Sequence, residues 1–498
     1  MPQRLSSQRR DFLGTCTRRA AGLAALALPG AASSAPVPVA IPTRATGHVV
    51  PPTIVGLSYE TAVLRDPRFL AASNTALVAL FRRLNPDGVL RLGGNTSDLA
   101  LPAGFAGPLP ALHPLYRQRE RVQPYYAVPD DALAALAGFL DAAGWKVVFG
   151  LNLRADSASL AAAYAARVRA ALGPRLLALQ VGNEANNYFK TYAEYKAAWD
   201  RVAGPADRGD IAGPDSGANT DWVQAFGREV PGAPLLSRHY YREAAERGSL
   251  DDILTHDADF DREIVVLAAA ARGHRHGFWL TETNSYYRGG RAGVSDAFAA
   301  ALWGLDFTLS AAYHGAAGVC FQGGPRGSIE SSLEGHDTRG GGAAPGSIDA
   351  ASSNYSPIGG DLGAGFAPRP LYYGLLCARL LAGGRFHALD TAALPPDARV
   401  YATAHDDGTR IVAVNASRTR ARALRFAGLP PRAGVRAAPL SAPDVAARTA
   451  LVFGQDDRTL MPGTDWQLRY RALRPVSTHG ALDVTLPAGT AILIHVAA

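Results

Sequence analysis

The chain has 498 residues, 48% of them apolar and 19% charged, and a formal net charge of +7 that is almost all arginine spread along its length. Such a composition excludes a disordered or fibrous chain, and without a Lys/Arg cluster in the folded region it argues against a nucleic-acid partner, leaving an anion of another kind. Three cysteines supply neither a disulfide framework nor zinc spacing, so Cys320 and Cys377 read as buried small hydrophobes, and no metal or cofactor is expected.

Residues 1–35, which include Cys16, read as an export signal. Gln8-Arg9-Arg10-Asp11-Phe12-Leu13 resembles the twin-arginine pattern, and the apolar stretch 20–32 leads into small residues suited to cleavage. An exported protein, periplasmic or extracellular, is the expectation. The Pro-rich segment 36–52 is apolar enough to lend a strand to a later β-domain. No later run of about 18 uncharged apolar residues occurs, so no membrane span is expected, and no feature sets an oligomeric state.

From 53 to 382, short β-like runs alternate with amphipathic helical stretches. The runs fall at 54–59, 89–93, 147–152, 176–182, 209–213, 234–239, 278–283 and 318–323, with helices among them at 130–143, 157–172, 192–202, 261–271, 295–313 and 369–381. Eight such units predict an α/β fold, a closed (β/α)8 TIM barrel with its chemistry on the loops after the strand ends. Residues 328–356, rich in Gly and Ser and including Arg339-Gly340-Gly341-Gly342, read as a long mobile loop beside that mouth. Beyond about 383 the helical period gives way to alternating segments broken by turns such as Asp406-Asp407-Gly408 and Pro487-Ala488-Gly489, predicting a β-sandwich over 383–498.

Two glutamates fall at predicted strand ends, Glu184 in Gly182-Asn183-Glu184 after the fourth and Glu282 in Thr281-Glu282-Thr283-Asn284 at the seventh. Cleaving a glycosidic bond with retention needs a carboxylic acid to protonate the leaving oxygen and a carboxylate to attack the anomeric carbon, about 5 Å apart. Strands four and seven face one another across a barrel mouth, which suits that pair. An acid/base must be protonated near neutral pH, so a neighbouring anion or partial burial is expected beside Glu184.

Together Gly56-Leu57-Ser58-Tyr59-Glu60, Arg91-Leu92-Gly93-Gly94-Asn95, Gly182-Asn183-Glu184, Ser237-Arg238-His239-Tyr240-Tyr241 and Thr281-Glu282-Thr283-Asn284-Ser285 resemble glycoside hydrolase family 79, which holds exo-β-glucuronidases and heparanase-like endo-β-glucuronidases. The resemblance implies Glu184 as acid/base, Glu282 as nucleophile with a donor from His239, Tyr240 or Tyr241, and Asn183 on the sugar 2-hydroxyl. It further implies Glu60 and Asn95 on distal hydroxyls, and Tyr240 or Tyr241, Tyr287, the amides of the Gly289 turn and Tyr355 around the uronate carboxylate. The partner implied is a glucuronide or another uronate-containing carbohydrate.

The chain departs from the family pattern in two places. Arg288 stands between Tyr287 and Gly289-Gly290, where it either pairs with the uronate or points to solvent, and Gln322 replaces a histidine. An exo site is the leading reading. The alternatives are an endo enzyme on acidic polysaccharides, a barrel glycosidase for neutral sugars, a non-catalytic carbohydrate-binding barrel, and a barrel scaffold whose β-domain binds a cell-surface polymer through platforms such as Trp466 and Tyr470.

Overall fold

A computed structural model describes residues 35–105, 125–204, 208–333, 343–454 and 467–498. The arginine pair of the leader, Cys16, the Arg339 to Gly342 run and Trp466 lie outside the described residues. Eight parallel strands close on one another in chain order: Val55–Glu60, Val89–Gly93, Lys146–Leu151, Leu176–Val181, Ile211–Ser216, Leu236–Ala244, Phe278–Tyr287 and Gly318–Gly323. The eighth pairs with the first from Val319↔Val55 to Gly323↔Tyr59, completing the (β/α)8 barrel.

These strands are buried on both faces, which is why most read as near-continuous apolar runs. Val89, Val148, Ala178, Ala212, Trp279 and Cys320, from six of them, form one interior cluster. Cys320 and Cys377 are both free and buried. The fifth strand runs to Ser216, past the Gly213 at which the sequence reading stops; Pro214 cannot donate to a ladder and so looks like a strand end. Strands six and seven also extend further, pairing as far as Tyr287↔Ala244.

Helices Asp130–Ala143, Ala158–Leu172, Tyr192–Ala203, Ala258–Ala270, Phe298–Tyr313 and Pro370–Arg379 occupy the predicted places. Two further helices that the sequence reading lacks, Thr75–Leu84 and Thr220–Glu229, bury clear apolar faces, Leu77, Leu80, Phe81 and Leu84 on one and Trp222, Val223 and Phe226 on the other. Their start signals are the side chains of Asn74 and Asn219, which accept from the amides of Leu77 and Trp222.

The β-domain is a sandwich of two sheets. Val37–Ala40 runs parallel to Arg422–Ala427, which pairs antiparallel with Ala481–Leu486. The larger sheet contains Ala398–His405, Gly408–Asn415, Thr490–Ala497 and Val435–Ser441. Strict alternation divides its side chains: Val400, Ala402, Ile411, Ala413, Ile492 and Ile494 meet Leu424, Phe426, Leu482 and Val484 between the sheets. Tyr401, Val412, Val414, Ala491 and Leu493 face the other way and join the core of the barrel. Tyr470 is half-buried under the Arg436 guanidinium, 4.8 Å from its ring centre.

The expectation of a long mobile loop over 328–356 needs correction for the described part. Arg326–Ser332 is a helix, and Ser352, Ser353, Asn354, Tyr355 and Ser356 are buried. The serines that suggest flexibility instead satisfy backbone carbonyls, Ser328 that of Pro325, Ser352 that of Ile348 and Ser356 that of Gly324. Among the described residues no helix is long and apolar enough to cross a membrane.

Candidate active site

The carboxyl ends of the strands surround a cleft of about 630 Å³ lined by Glu60, Asn95, Glu184, His239, Tyr241, Glu282, Tyr287, Arg288, Gln322 and Tyr355 among others. Its floor is a charged network that a strand-by-strand reading cannot see. Arg91, on the second strand and 1% exposed, reaches four side chains at once, the most distant being Ser58 Oγ at 3.4 Å from Nη1. Its Nη1 donates to Glu282 Oε2 at 2.6 Å, and its Nη2 to Asn183 Oδ1 at 2.7 Å and Asp215 Oδ2 at 2.5 Å. The glycine pair that follows makes room: a Cβ on Gly93 would lie 2.2 Å from the Arg91 guanidinium, and one on Gly94 2.1 Å from Glu60 Oε1.

Glu282 is 8% exposed, and its second oxygen accepts from the Tyr241 hydroxyl at 2.8 Å. Both oxygens are therefore held, one by a permanent cation. Glu184 enters from the loop after the fourth strand with a left-handed backbone, φ 47°, and its N–H donates to the carbonyl of Asp215 at 2.9 Å. Its Oε1 lies 2.9 Å from His239 Nδ1, and its Oε2 accepts from Asn187 Nδ2 at 2.9 Å.

Asp215, 1% exposed on the fifth strand, completes the floor. Its Oδ1 accepts from Gln180 Nε2 at 2.9 Å, Thr281 Oγ1 at 2.6 Å and His239 Nε2 at 3.0 Å. Burial opposes its ionisation, but Arg91 and His239 outweigh that and hold the carboxyl well below the usual range. For His239 burial likewise opposes charge, yet the carboxylates of Asp215 and Glu282 raise the imidazole to about 10, so it is a cation at neutral pH. The structure gives Glu184 the expected partial burial, its side chain 23% exposed, and sets a cation rather than an anion beside it.

The structure places the remaining candidates unevenly. Glu60, 1% exposed, accepts from Thr96 N–H at 3.1 Å, Thr96 Oγ1 at 2.7 Å and Gln322 Nε2 at 3.1 Å; burial, then the Glu282 charge, raises it to about 7. Asn183 is buried and donates from Nδ2 to Asn95 Oδ1 at 3.1 Å, and Asn95 donates to Ser332 Oγ at 3.2 Å. Tyr240 borders the cleft, but its side chain turns away from it. On a strand of period two it opposes His239 and Tyr241, packs on Phe260 and Phe307, and donates its hydroxyl to Asp257 at 2.7 Å. Tyr355 is buried beside Tyr241, ring centres 6.3 Å apart, and its N–H donates to the carbonyl of Gly289. Tyr287 is half exposed with its ring edge-on to Tyr241.

Arg288 takes a left-handed backbone at φ 64°, like Gly289 at 82° and Gly290 at 84°. Its guanidinium leans over the Tyr287 ring and pairs with Glu246 at 3.3 Å, directed to solvent. An arginine therefore occupies a backbone position that glycine fills more readily.

One donor atom each from Glu184, His239 and Glu282 lies within 4.8 Å of the other two. Three such groups are able to take a divalent ion, although the positive charge on His239 works against one. Arg91 and Asp215 are the residues to which the sequence reading assigns no role. The signal for Arg91 is a charge inside a short apolar strand, which only a buried partner makes tolerable. For Asp215 the signal is weaker, because Pro214 hides the strand end.

No protein-family model matches the sequence, and no curated protein matches it. Solved structures do match. A 4-O-α-L-rhamnosyl-β-D-glucuronidase from Fusarium oxysporum superposes with a TM-score of 0.70 at 19% identity, covering 92% of this chain and all of that one. A family 51 α-L-arabinofuranosidase from Bifidobacterium longum gives 0.61 at 16% identity over 93% of this chain and all of its own. A GH30 endoxylanase from Clostridium papyrosolvens gives 0.51 at 14% over 92% of this chain, again covering all of its own. The chain shares the fold of these glycoside hydrolases.

Proposed function

We propose that the protein is a retaining exo-β-glucuronidase, similar to glycoside hydrolase family 79, that works by double displacement. The observation that carries this reading is the approach of a Glu184 oxygen to within 4.8 Å of a Glu282 oxygen, near the roughly 5 Å of retaining enzymes and short of the 6.5 Å or more that an inverting enzyme leaves for water. Glu282 attacks the anomeric carbon while Glu184 protonates the departing oxygen, leaving a glycosyl ester on Glu282. Glu184 then takes a proton from water as that water attacks the anomeric carbon, and the bond from that carbon to Glu282 breaks so that Glu282 departs as carboxylate. Arg91 and Tyr241 hold the two Glu282 oxygens in the resting site.

Glucuronate adds a carboxylate where glucose has a hydroxymethyl group, so its pocket needs donors. Tyr241, Tyr287, Tyr355 and the backbone amides of the Gly289 turn are the groups available, and a neighbour of the same fold carries glucuronidase in its name. Asn183 is assigned to the 2-hydroxyl and Glu60 and Asn95 to distal hydroxyls. Helix Arg326–Ser332, bound to Asn95 through Ser332, walls one end of the cleft and favours exo action. Residues 1–35 serve as an export signal, 53–382 as the catalytic barrel and 383–498 as a β-sandwich bracing it.

The test is hydrolysis of 4-nitrophenyl β-D-glucuronide beside the matching glucoside and galactoside, with Glu282→Ala as control. Release from the glucuronide alone, lost in the variant, is the expected result. Turnover of the neutral glycosides overturns the uronate assignment. Turnover only of a uronate-rich polymer replaces exo action with endo.

A further inference from the structure

Asp215 touches the machinery of both glutamates. Its Oδ2 receives Arg91, which also holds Glu282, and its Oδ1 receives His239, which also holds Glu184. Its main-chain carbonyl receives the Glu184 N–H, and so grips the residue in its left-handed conformation. We propose that Asp215 is a positioning residue, a buried counter-anion that receives His239 and Arg91 on its two oxygens and thereby keeps the imidazole aimed at Glu184 and the guanidinium aimed at Glu282, so that one side chain sets the pH window in which both glutamates work. The proposal rests on the reading of Glu184 as acid/base and Glu282 as nucleophile.

The geometry requires a carboxylate at this point. Four donors converge on Asp215: Gln180, Thr281 and His239 on one oxygen and Arg91 on the other. An asparagine of the same shape offers one oxygen and one NH₂, so either Arg91 or the other three donors would face a donor. It also removes the charge between two buried cations, each costly to keep without an anion. His239 is faced by Asp215 from the fifth strand, Glu184 from the loop after the fourth and Glu282 from the seventh, with Arg91 from the second as the opposing cation. With Asp215 neutral, the nearest anion on the Nε2 side is gone, and the ring loses its proton at lower pH.

Asp215 does not line the cleft, which separates its role from substrate binding. In Asp215→Asn, kcat on 4-nitrophenyl β-D-glucuronide should fall about 100-fold, the low end of general acid–base contributions, with KM changed less than about threefold. The alkaline limb of the kcat profile, set by Glu184 as the acid, should move to higher pH by about one unit or more, because a neutral His239 no longer favours the Glu184 carboxylate. Ring-¹⁵N NMR, with the His239 signal assigned by its loss in His239→Gln, should show a cation at pH 8 in the native chain and a neutral ring in Asp215→Asn. Asp215→Glu keeps the charge and should keep the cationic signal, a readout that survives if the asparagine variant fails to fold. An unmoved alkaline limb in Asp215→Asn, or a neutral His239 at pH 8 in the native chain, overturns the proposal. A native chain that cleaves no glycoside overturns the functional reading instead, while the His239 signal still decides the role of Asp215.

Discussion

Arg91 and Glu282 are 191 positions apart in the chain and meet at 2.6 Å across the floor of the cleft, with Arg91 sealed from solvent. A buried guanidinium bonded to four side chains is a fixed point of the site, since each bond constrains the others. Arg91→Lys retains the charge but not the forked geometry, so it cannot serve Glu282, Asn183 and Asp215 together. Its kcat on the glucuronide should fall at least about 100-fold, comparable with loss of a preorganised electrostatic donor. Arg91→Met, which takes the cation from Glu282 and leaves Asp215 with His239 alone as its ionic partner, should also lose about 3 to 5 kcal/mol of stability in denaturant unfolding. Near-native activity in Arg91→Lys would remove the network from the account.

Tyr240 and Tyr241 are neighbours with opposite fates. Tyr241→Phe removes the donor on Glu282 Oε1 and should lower kcat about 10- to 100-fold. Tyr240→Phe removes a bond to Asp257 outside the cleft and should cost about 1 kcal/mol of stability with kcat within about twofold. Steady-state kinetics and thermal unfolding on the two variants separate these effects, and equal kinetic losses would contradict the strand register.

Glu60 carries a pH signature. Its folded pKa of about 7 stands above the ordinary value of 4.5, so the folded state binds more protons between these limits. The contribution is full below about 4.5 and is lost as pH rises through about 7, a difference on the order of 3 kcal/mol at full ionisation. Glu60→Gln should therefore flatten the decline in unfolding free energy across that interval. A decline equally steep in the variant, measured by urea unfolding at a series of pH values, would count against a buried, protonated Glu60.

Arg288 occupies the left-handed region with its side chain directed to Glu246 and solvent. Arg288→Gly should raise stability by about 1 kcal/mol by relieving that backbone, and leave kcat/KM for the glucuronide within about threefold. A tenfold or larger rise in KM would instead give this guanidinium a place on the uronate.

Much of the fold is legible because the barrel's strands and longer helices carry their period openly. What escapes has physical causes. The strand that carries Asp215 is disguised by Pro214, whereas the helices at Thr75 and Thr220 bury an apolar stripe that is legible from their asparagine start signals. Glu184, Glu282, His239 and Tyr241 are readable because they sit at strand ends in recognisable short motifs. The network that joins them is not, because Arg91, Asp215, Gln180 and Thr281 meet only when four separate strands close into a ring. The serine-rich segment after the eighth strand misleads for a different reason, since hydroxyls that favour loops in open chain here bond buried carbonyls.

The stereochemistry of the first-formed product tests the two-glutamate mechanism most directly. Proton NMR of 4-nitrophenyl β-D-glucuronide hydrolysis, followed before mutarotation, should show β-glucuronic acid appearing first and the α-anomer only later, as two successive inversions at carbon 1 require. The α-anomer first would mean a single displacement by water, and would contradict a covalent intermediate on Glu282.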